Sequence, residues 1–138
     1  MRELFVGIVG SRRRNSLSDR KLVFKIVENL VSKFADRKVI LVSGACPKGA
    51  DHFASEAARS FSLEIVEFPV PKQNYESRGQ FAQAAFARNK LIADRSDIGF
   101  ALVSDDRTGG TENTISHFKS QKKKVYVVNE NGEVSLIF

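Results

Sequence analysis

Four short motifs in this sequence carry the residue types from which proteins build anion-binding sites. They are Gly10-Ser11-Arg12, Ser43-Gly44-Ala45-Cys46-Pro47-Lys48-Gly49-Ala50-Asp51, Arg88-Asn89 and Gly109-Gly110-Thr111. Glycine lets the backbone approach a ligand closely, and a glycine turn that enters a helix presents unpaired N–H groups to an anion. Arginine adds a planar, charged fork that fits phosphate oxygens. The motifs predict a phosphate-binding site, provided that the fold gathers them at one place.

The second motif is predicted to be the centre of that site, because it joins a short buried strand to an amphipathic helix. It is neither a P-loop, since no Lys-Ser or Lys-Thr follows Gly49, nor the dinucleotide fingerprint. Both of its glycines could instead serve the turn alone. Asp51 is interpreted as the helix N-cap, and Cys46 is assigned no metal-binding or nucleophilic role. The predicted ligand-binding residues of this run are Ser43, Gly44, Gly49, Ala50 and Asp51.

Arg88 has an unusual place in the helical pattern around it. It falls in the middle of an apolar stripe formed by Phe81, Ala84, Ala85, Leu91 and Ile92. A guanidinium on a face that packs against a sheet needs an anion or another polar partner. Arg88 could therefore hold a ligand phosphate or carboxylate, pair with an internal carboxylate, or extend to the edge of the sheet. The adjacent Asn89 could bind a ribose or a base edge.

The first and fourth motifs complete the predicted site. In the first, Ser11 offers a hydroxyl and Arg12 a cation, whereas the following Arg13 and Arg14 are interpreted as exposed turn residues. In the fourth, two glycines and a threonine at a helix start form a nest of N–H donors. Glu112 in the first helical turn either complements the helix dipole or acts as a catalytic carboxylate.

Hydrophobic periodicity predicts how these motifs are positioned. Apolar runs predict strands over 4–9, 39–42, 64–68, 98–103 and 125–128, with a short edge strand over 134–138. Helical patterns follow a capping box at Ser16 and Asp19, and occupy 51–61, 80–94 and 111–121. Strictly alternating strands and helices predict one Rossmann-like three-layer α/β/α domain over 1–138, with a mainly parallel sheet of about five strands. Three of the motifs would then follow strand ends at one edge of the sheet.

The bulk composition narrows the class of protein. A chain of 138 residues with 42% hydrophobic residues fits one soluble domain. A single cysteine excludes an internal disulfide and favours the cytoplasm. No signal peptide and no apolar run of about 18 residues is present, so neither export nor membrane insertion is expected. The net charge of +6 favours partners that carry phosphate.

In this order, the four motifs resemble those of the SLOG superfamily. This Rossmann-like group includes the cytokinin-activating phosphoribohydrolases, also known as lysine decarboxylase-like proteins, and the DNA-processing protein A domain. The resemblance is greatest to its small stand-alone branch, spans Phe5 to Val128, and implies a nucleotide-derived ligand with its phosphate on the glycine loops. The phosphoribohydrolases use an arginine in the third helix and a glutamate after Gly-Gly-x-Gly-Thr for catalysis. Arg88 matches the arginine, whereas Thr114 stands in place of the glutamate.

Three functions are therefore open. The leading hypothesis is binding or sensing of a nucleotide or nucleotide derivative. The second is a nucleoside 5′-monophosphate phosphoribohydrolase-type N-glycosidase that uses Arg88 and Glu112. The third is a DNA-binding or DNA-processing domain, which the basic runs 12–14 and 122–124 favour, although these runs lack interleaved aromatic residues. No cofactor, metal or membrane partner is expected. A homodimer is possible, because the phosphoribohydrolases are often dimers.

Overall fold

Apolar runs form the strands at the centre of the fold, as strands covered by helices on both faces require. The structure is a computed structural model that describes residues 2–137. In chain order its elements are β1 (Arg2–Gly10), α1 (Leu17–Lys33), β2 (Arg37–Ser43), α2 (Ala50–Ser60), β3 (Glu64–Glu67), α3 (Arg78–Arg95), β4 (Ile98–Leu102), α4 (Gly110–Ser120), β5 (Val125–Val128) and β6 (Val134–Ile137).

Between residues 2 and 137 the strands form a six-stranded sheet in the order β3-β2-β1-β4-β5-β6, in which only β6 is antiparallel to its neighbour. The predicted fold class, a Rossmann-like α/β fold with a mainly parallel sheet, is confirmed. The predicted edge strand is present as β6, except that Phe138 lies outside the described residues. The chain reverses its direction across the sheet between β1 and β4. In open α/β sheets, the crevice beyond the carboxyl ends at such a point is the usual ligand site.

The alternation of side chains along β1 fills a core on each face of the sheet. Val6 and Ile8 pack in the core that includes α1 and α2, where Phe53 is also buried. Val9 points to the opposite face, where α3 and α4 pack and Phe118 is completely buried. Because α2 and α4 each follow a parallel strand, both helices begin at the carboxyl edge of the sheet. Among the described helices, none combines the length and the hydropathy that crossing a bilayer requires.

Helix α3 is less deeply packed than its sequence predicts. Leu91 is 49% exposed and Phe81 is 41% exposed, so the prediction of one sheet-facing stripe is wrong. The buried residues of α3 are Asn89, Ile92 and Ala93, all in its C-terminal half. The N-terminal half of the helix lies at the carboxyl edge of the sheet, where it borders a cleft and therefore leaves apolar side chains accessible.

Arg14 is 1% exposed, which corrects the prediction that it is a surface residue. Its guanidinium donates to the carboxylate of Asp19 at 2.9 and 3.1 Å and to the carbonyl oxygens of Val103 and Val128. Asp19 forms the predicted capping box with Ser16. Burial alone would raise the pKa of Asp19, but hydrogen bonds from Ser16 and Arg14 outweigh it and lower that pKa. Arg14 thus fastens the loop after β1 to the ends of β4 and β5.

Candidate functional site

A cleft of about 410 Å³ lies at the carboxyl edge of the sheet, beside the ends of β1 and β4. Its volume is within the range of small-molecule sites in proteins. The walls come from the loop after β1, the turn before α2, one side of α3 and the start of α4. The lining residues are Val9, Gly10, Ser11, Arg12, Arg13, Cys46, Asp51, Phe81, Ala82, Ala85, Phe86, Arg88, Asn89, Ile92, Thr108, Gly109, Gly110, Thr111 and Thr114.

The fold brings most of the predicted ligand-binding residues to this cleft. The lining includes Gly10, Ser11, Arg12, Asp51, Arg88, Asn89, Gly109, Gly110 and Thr111. The remaining predicted residues lie behind the cleft wall and do not line it: Ser43, Gly44, Gly49 and Ala50. Ligand contact remains a prediction for every residue in both sets.

The loop after β1 is shaped by close packing and by its own hydrogen bonds. A Cβ at Gly10 would lie 2.8 Å from the Cβ of Ala50 and 3.0 Å from that of Leu102. The glycine at position 10 therefore allows α2 and β4 to approach β1. The N–H of Ser11 donates to the carbonyl oxygen of Leu102 at 3.0 Å. Arg12 is exposed, and within residues 2–137 its side chain makes no hydrogen bond or ion pair.

Arg13 connects this loop to the loop before α4. It lies on the surface, as predicted, and its guanidinium donates to Asp106, to the hydroxyl of Ser104 and to that of Thr108 at 2.7 to 3.0 Å. The hydrogen bond from Arg13, helped by those of Thr108 and Ser104, holds the pKa of Asp106 far below its ordinary value. These bonds fix the position of the segment that enters α4, on the far wall of the cleft.

The turn before α2 differs from the predicted phosphate loop. Gly49, with a φ of 76°, is the N-cap of α2, so the interpretation of Asp51 as the N-cap is wrong. The N–H of Gly49 already donates to the side-chain oxygen of Asn15, and the N–H of Cys46 donates to the carboxylate of Asp51. The N–H of Ala45 is bonded to a serine hydroxyl. Three N–H groups of this turn are therefore used within the protein, and one of them belongs to Gly49, a predicted ligand-binding residue.

The side chains of Asp51 and Arg88 both pack against Gly44. A Cβ at Gly44 would lie 2.7 Å from Nη1 of Arg88 and 2.8 Å from Oδ2 of Asp51. Arg88 does not pair with the carboxylate; its Nη1 donates to the carbonyl oxygens of Gly44 at 2.6 Å and Phe68 at 3.2 Å. Burial raises the pKa of Asp51, and the N–H of Cys46 and the charge of Arg88 offset only part of this effect.

Asn89 joins α3 to the start of α4. It is 5% exposed, and its side-chain NH₂ donates to the carbonyl oxygen of Gly110 and to the side-chain oxygen of Asn113. Its own side-chain oxygen accepts from Nε of Arg88 at 3.0 Å. The amide of Asn89 is thus occupied by protein partners, and its observed part in the site is to hold the N-terminus of α4 in place.

The N-terminus of α4 is the most open anion-binding feature of the cleft. Its N-cap is Gly109, with a φ of 105° and no side-chain cap. Among residues 2–137, no acceptor pairs with the N–H groups of Gly110 and Thr111. Thr111 is only 7% exposed and lines the cleft, yet its hydroxyl has no hydrogen-bond partner in the described part of the chain. Two N–H groups and one hydroxyl therefore remain available to a ligand.

Glu112, the weak candidate for catalysis, is held away from the cleft. Both of its carboxylate oxygens accept hydrogen bonds from Arg107, at 2.8 and 2.9 Å, and it is not among the lining residues. Thr114 does line the cleft at the position where the phosphoribohydrolases carry glutamate. The geometry offers no free carboxylate from α4 to the cleft.

Two functional candidates were missed because their role depends on tertiary structure. Phe81 was assigned to the core, and Phe86 was not singled out, yet both line the cleft with 41% and 46% exposure. The position of Phe86, off the predicted apolar stripe and two residues before Arg88, was the available signal. For Asn15, which supports Gly49, no local pattern indicated the contact.

The raised pKa of Asp51 leads to a testable dependence of stability on pH. Because the folded protein binds this proton more tightly than the unfolded chain, the stability that Asp51 contributes falls as pH rises through the raised pKa. The free energy of unfolding of the wild type minus that of Asp51→Asn should therefore decrease as pH rises above about 4, the ordinary pKa of an aspartate. Urea denaturation measures it.

Asp94 supplies a control of opposite sign. A hydrogen bond from Lys90 lowers its pKa, so the stability contributed by Asp94 is lost as pH falls through the lowered pKa. The free energy of unfolding of the wild type minus that of Asp94→Asn should therefore increase with pH. A difference for Asp51→Asn that also increases would show that attraction to Arg88 exceeds the effect of burial.

Comparison with known proteins identifies the fold. No protein-family model matches the sequence, and no curated protein matches it. The molybdenum cofactor binding protein of the phototrophic bacterium Rippkaea orientalis is similar in structure, with a TM-score of 0.68 and 16% identity over 94% of this chain and 78% of that one. The molybdenum cofactor carrier protein of Chlamydomonas reinhardtii gives a TM-score of 0.63 and 14% identity over 95% and 79% of the two chains.

A further structure of the Chlamydomonas carrier protein gives a TM-score of 0.61 and 17% identity, over 95% of this chain and 79% of that one. At such low identities, the likeness demonstrates a shared Rossmann-like fold and carries no function with it. Membership of the SLOG superfamily therefore remains a prediction from the motifs.

Proposed function

We propose that the cleft binds a small molecule that carries a phosphate, either a nucleotide or a nucleotide derivative, with the phosphate at the first turn of α4. One observation carries this proposal: the N–H groups of Gly110 and Thr111 and the Thr111 hydroxyl, which have no partner among residues 2–137, all belong to the wall of one cleft. Donors at a helix N-terminus favour an anion through both hydrogen bonds and the helix dipole. Arg12, which has no hydrogen-bond or ion-pair partner among residues 2–137, supplies a positive charge at the same cleft.

The structural neighbours support a small-molecule ligand. They are proteins described as binding or carrying the molybdenum cofactor. The cleft, with a donor-rich end at α4 and aromatic residues on α3, suits a ligand that has both a phosphate and a ring. The motifs that resemble the SLOG superfamily support the nucleotide class.

Binding without hydrolysis is the form of the proposal that the site supports best. N-glycosidic hydrolysis needs a carboxylate at the reacting sugar, but Glu112 is bonded to Arg107 through both oxygens. Asp51 lines the cleft, but its Oδ2 is bonded to the turn before α2. We therefore propose a carrier or sensor, for which the cytoplasm and a homodimer remain predictions.

Binding to DNA has less support. The run 12–14 follows β1 at the carboxyl edge of the sheet, whereas the run 122–124 precedes β5 at the opposite edge. Arg14 is buried, Arg13 is paired with Asp106, and Lys123 donates to the carbonyl oxygens of Ala93 and Asp94. The two runs thus do not form one basic track for a phosphate backbone.

Gly110→Pro tests the proposal with little disturbance of the helix. Position 110 is the first residue of α4, where proline fits but provides no N–H. The melting temperature of the wild type should rise with nucleoside monophosphates, cyclic nucleotides, ADP-ribose or the molybdenum cofactor, and the rise should be largely lost in Gly110→Pro and reduced in Thr111→Val. Arg78→Pro changes the equivalent position of α3, outside the cleft, and should leave the rise intact. If none of these ligands raises the wild-type melting temperature, the proposal is wrong.

A further inference from the structure

Two exposed phenylalanines form part of the cleft wall. Phe81 and Phe86 are 41% and 46% exposed and both line the cleft. The ring of Phe81 packs edge-on against Tyr75, with 5.3 Å between the ring centroids, which holds it in place. Within residues 2–137, Phe86 has no aromatic neighbour. Aromatic rings that stay accessible inside a concave site are available to stack on a ligand.

The part of α3 that carries these rings has no polar group directed to the cleft. Before Arg88, the residues of α3 that line the cleft are the two phenylalanines and two alanines, Ala82 and Ala85. Polar lining residues begin at Arg88 and Asn89, and Asn89 is bonded to Gly110 at the start of α4. Phe86 precedes Asn89 by three residues, which is about 4.5 Å along a helix axis. An apolar, aromatic wall thus lies about one helical turn from the proposed phosphate position.

We propose that this wall is the ring subsite of the cleft, where a flat heteroaromatic group stacks on Phe86 beside Phe81. The inference rests on the proposed function, because it places the ring relative to a phosphate at α4. Since the wall consists of phenylalanine and alanine side chains, it recognises the ring by stacking and not by hydrogen bonds to its edge. The site then requires an aromatic ring but discriminates weakly between one nucleobase and another.

A small ligand explains the exposure of these rings better than a second protein chain does. The rings lie on one wall of the cleft. Another wall carries the N–H groups of Gly110 and Thr111, which have no acceptor among residues 2–137. A ligand with a ring and a phosphate satisfies both parts together. An apolar protein surface that covered Phe81 and Phe86 would enclose these donors without an acceptor, which is costly.

Titration calorimetry with AMP, GMP and ribose 5-phosphate tests the ring subsite. In the wild type, the dissociation constants of AMP and GMP should agree within about 5-fold, and both should be about 10-fold or more below that of ribose 5-phosphate, because one stacked base contributes this much. Phe86→Ala should raise the first two by about 10-fold and change the third by less than about 2-fold. Leu91→Ala, equally exposed on α3 but outside the cleft, should change none of them.

The outcomes separate the two proposals. If ribose 5-phosphate binds as tightly as AMP, or if Phe86→Ala leaves AMP binding unchanged, the ring subsite is wrong while the phosphate site stands. If all three compounds fail to bind, the ring subsite is wrong, and the phosphate proposal falls with it when the other ligands also leave the melting temperature of the wild type unchanged. If Phe86→Ala instead turns a dimer into a monomer in light scattering, a second copy of the chain covers the rings, and the ring subsite is likewise overturned.

Discussion

Replacing Arg14 with alanine is expected to lower the free energy of unfolding by about 3–5 kcal/mol, the usual cost of breaking a buried ion pair. The side chain of Arg14 is fully buried, and that of Asp19 is 12% exposed. The substitution would leave the Asp19 carboxylate partly buried without its cation, and the carbonyl oxygen of Val103 without this donor. Urea denaturation measures this loss of stability. Because the ion pair is buried and uses several guanidinium nitrogens, lysine at position 14 should also destabilise the protein.

The neighbouring arginines provide matched controls for this prediction. Arg13 pairs with Asp106 at the surface, where the two side chains are 57% and 53% exposed, so Arg13→Ala should cost no more than about 1 kcal/mol. Arg12 has no protein partner in the described chain, so Arg12→Ala should leave stability unchanged and weaken only ligand binding. An Arg14→Ala variant as stable as Arg13→Ala would contradict the structural role assigned here to Arg14.

These three arginines also illustrate which features of the protein are predictable from its sequence. Hydrophobic patterns predicted the strands and the fold class, because strands buried on both faces are continuous apolar runs and helices repeat apolar residues with a period of 3.6. The burial of Arg14 depends on Val103 and Val128, which are distant in sequence and meet it only in the folded sheet. Three identical adjacent side chains therefore have a solvent-exposed, a paired and a buried environment, and no local pattern distinguishes them.

The location of the candidate site was predictable from the sequence, but its individual contacts were not. Glycine turns that follow parallel strands must meet at one edge of the sheet, so the convergence of the first, second and fourth motifs followed from topology. Which backbone N–H groups remain free could not be deduced, because this depends on single side chains such as Asn15, which occupies the N–H of Gly49. As a result, the N–H groups of Gly110 and Thr111 at the start of α4 line the cleft without an acceptor among residues 2–137, whereas three N–H groups of the turn before α2 are bonded within the protein.

Arg88 has an observed structural role and a proposed binding role, and its substitution should affect both. Arg88→Ala removes the donor to the carbonyl oxygens of Gly44 and Phe68, and such unpaired carbonyls cost about 1–3 kcal/mol each when buried. We expect a loss of stability of about 2–3 kcal/mol in total, since the side chain is only partly buried. The Nη2 group has no protein partner within residues 2–137, so the affinity for a phosphate ligand should also fall, by about 10-fold.

Arg88→Lys separates these two effects. Lysine keeps the positive charge beside the cleft but lacks the planar guanidinium, which bonds the two carbonyl oxygens through Nη1 and the side chain of Asn89 through Nε at the same time. It should therefore lose nearly as much stability as Arg88→Ala in urea denaturation, while retaining most of the affinity in calorimetry. Removal of the charge in Arg88→Ala should raise the pKa of Asp51 further, since Arg88 lowers it in the wild type. If Arg88→Ala folds and binds nucleoside monophosphates as the wild type does, Arg88 serves the structure of the cleft wall and not the ligand.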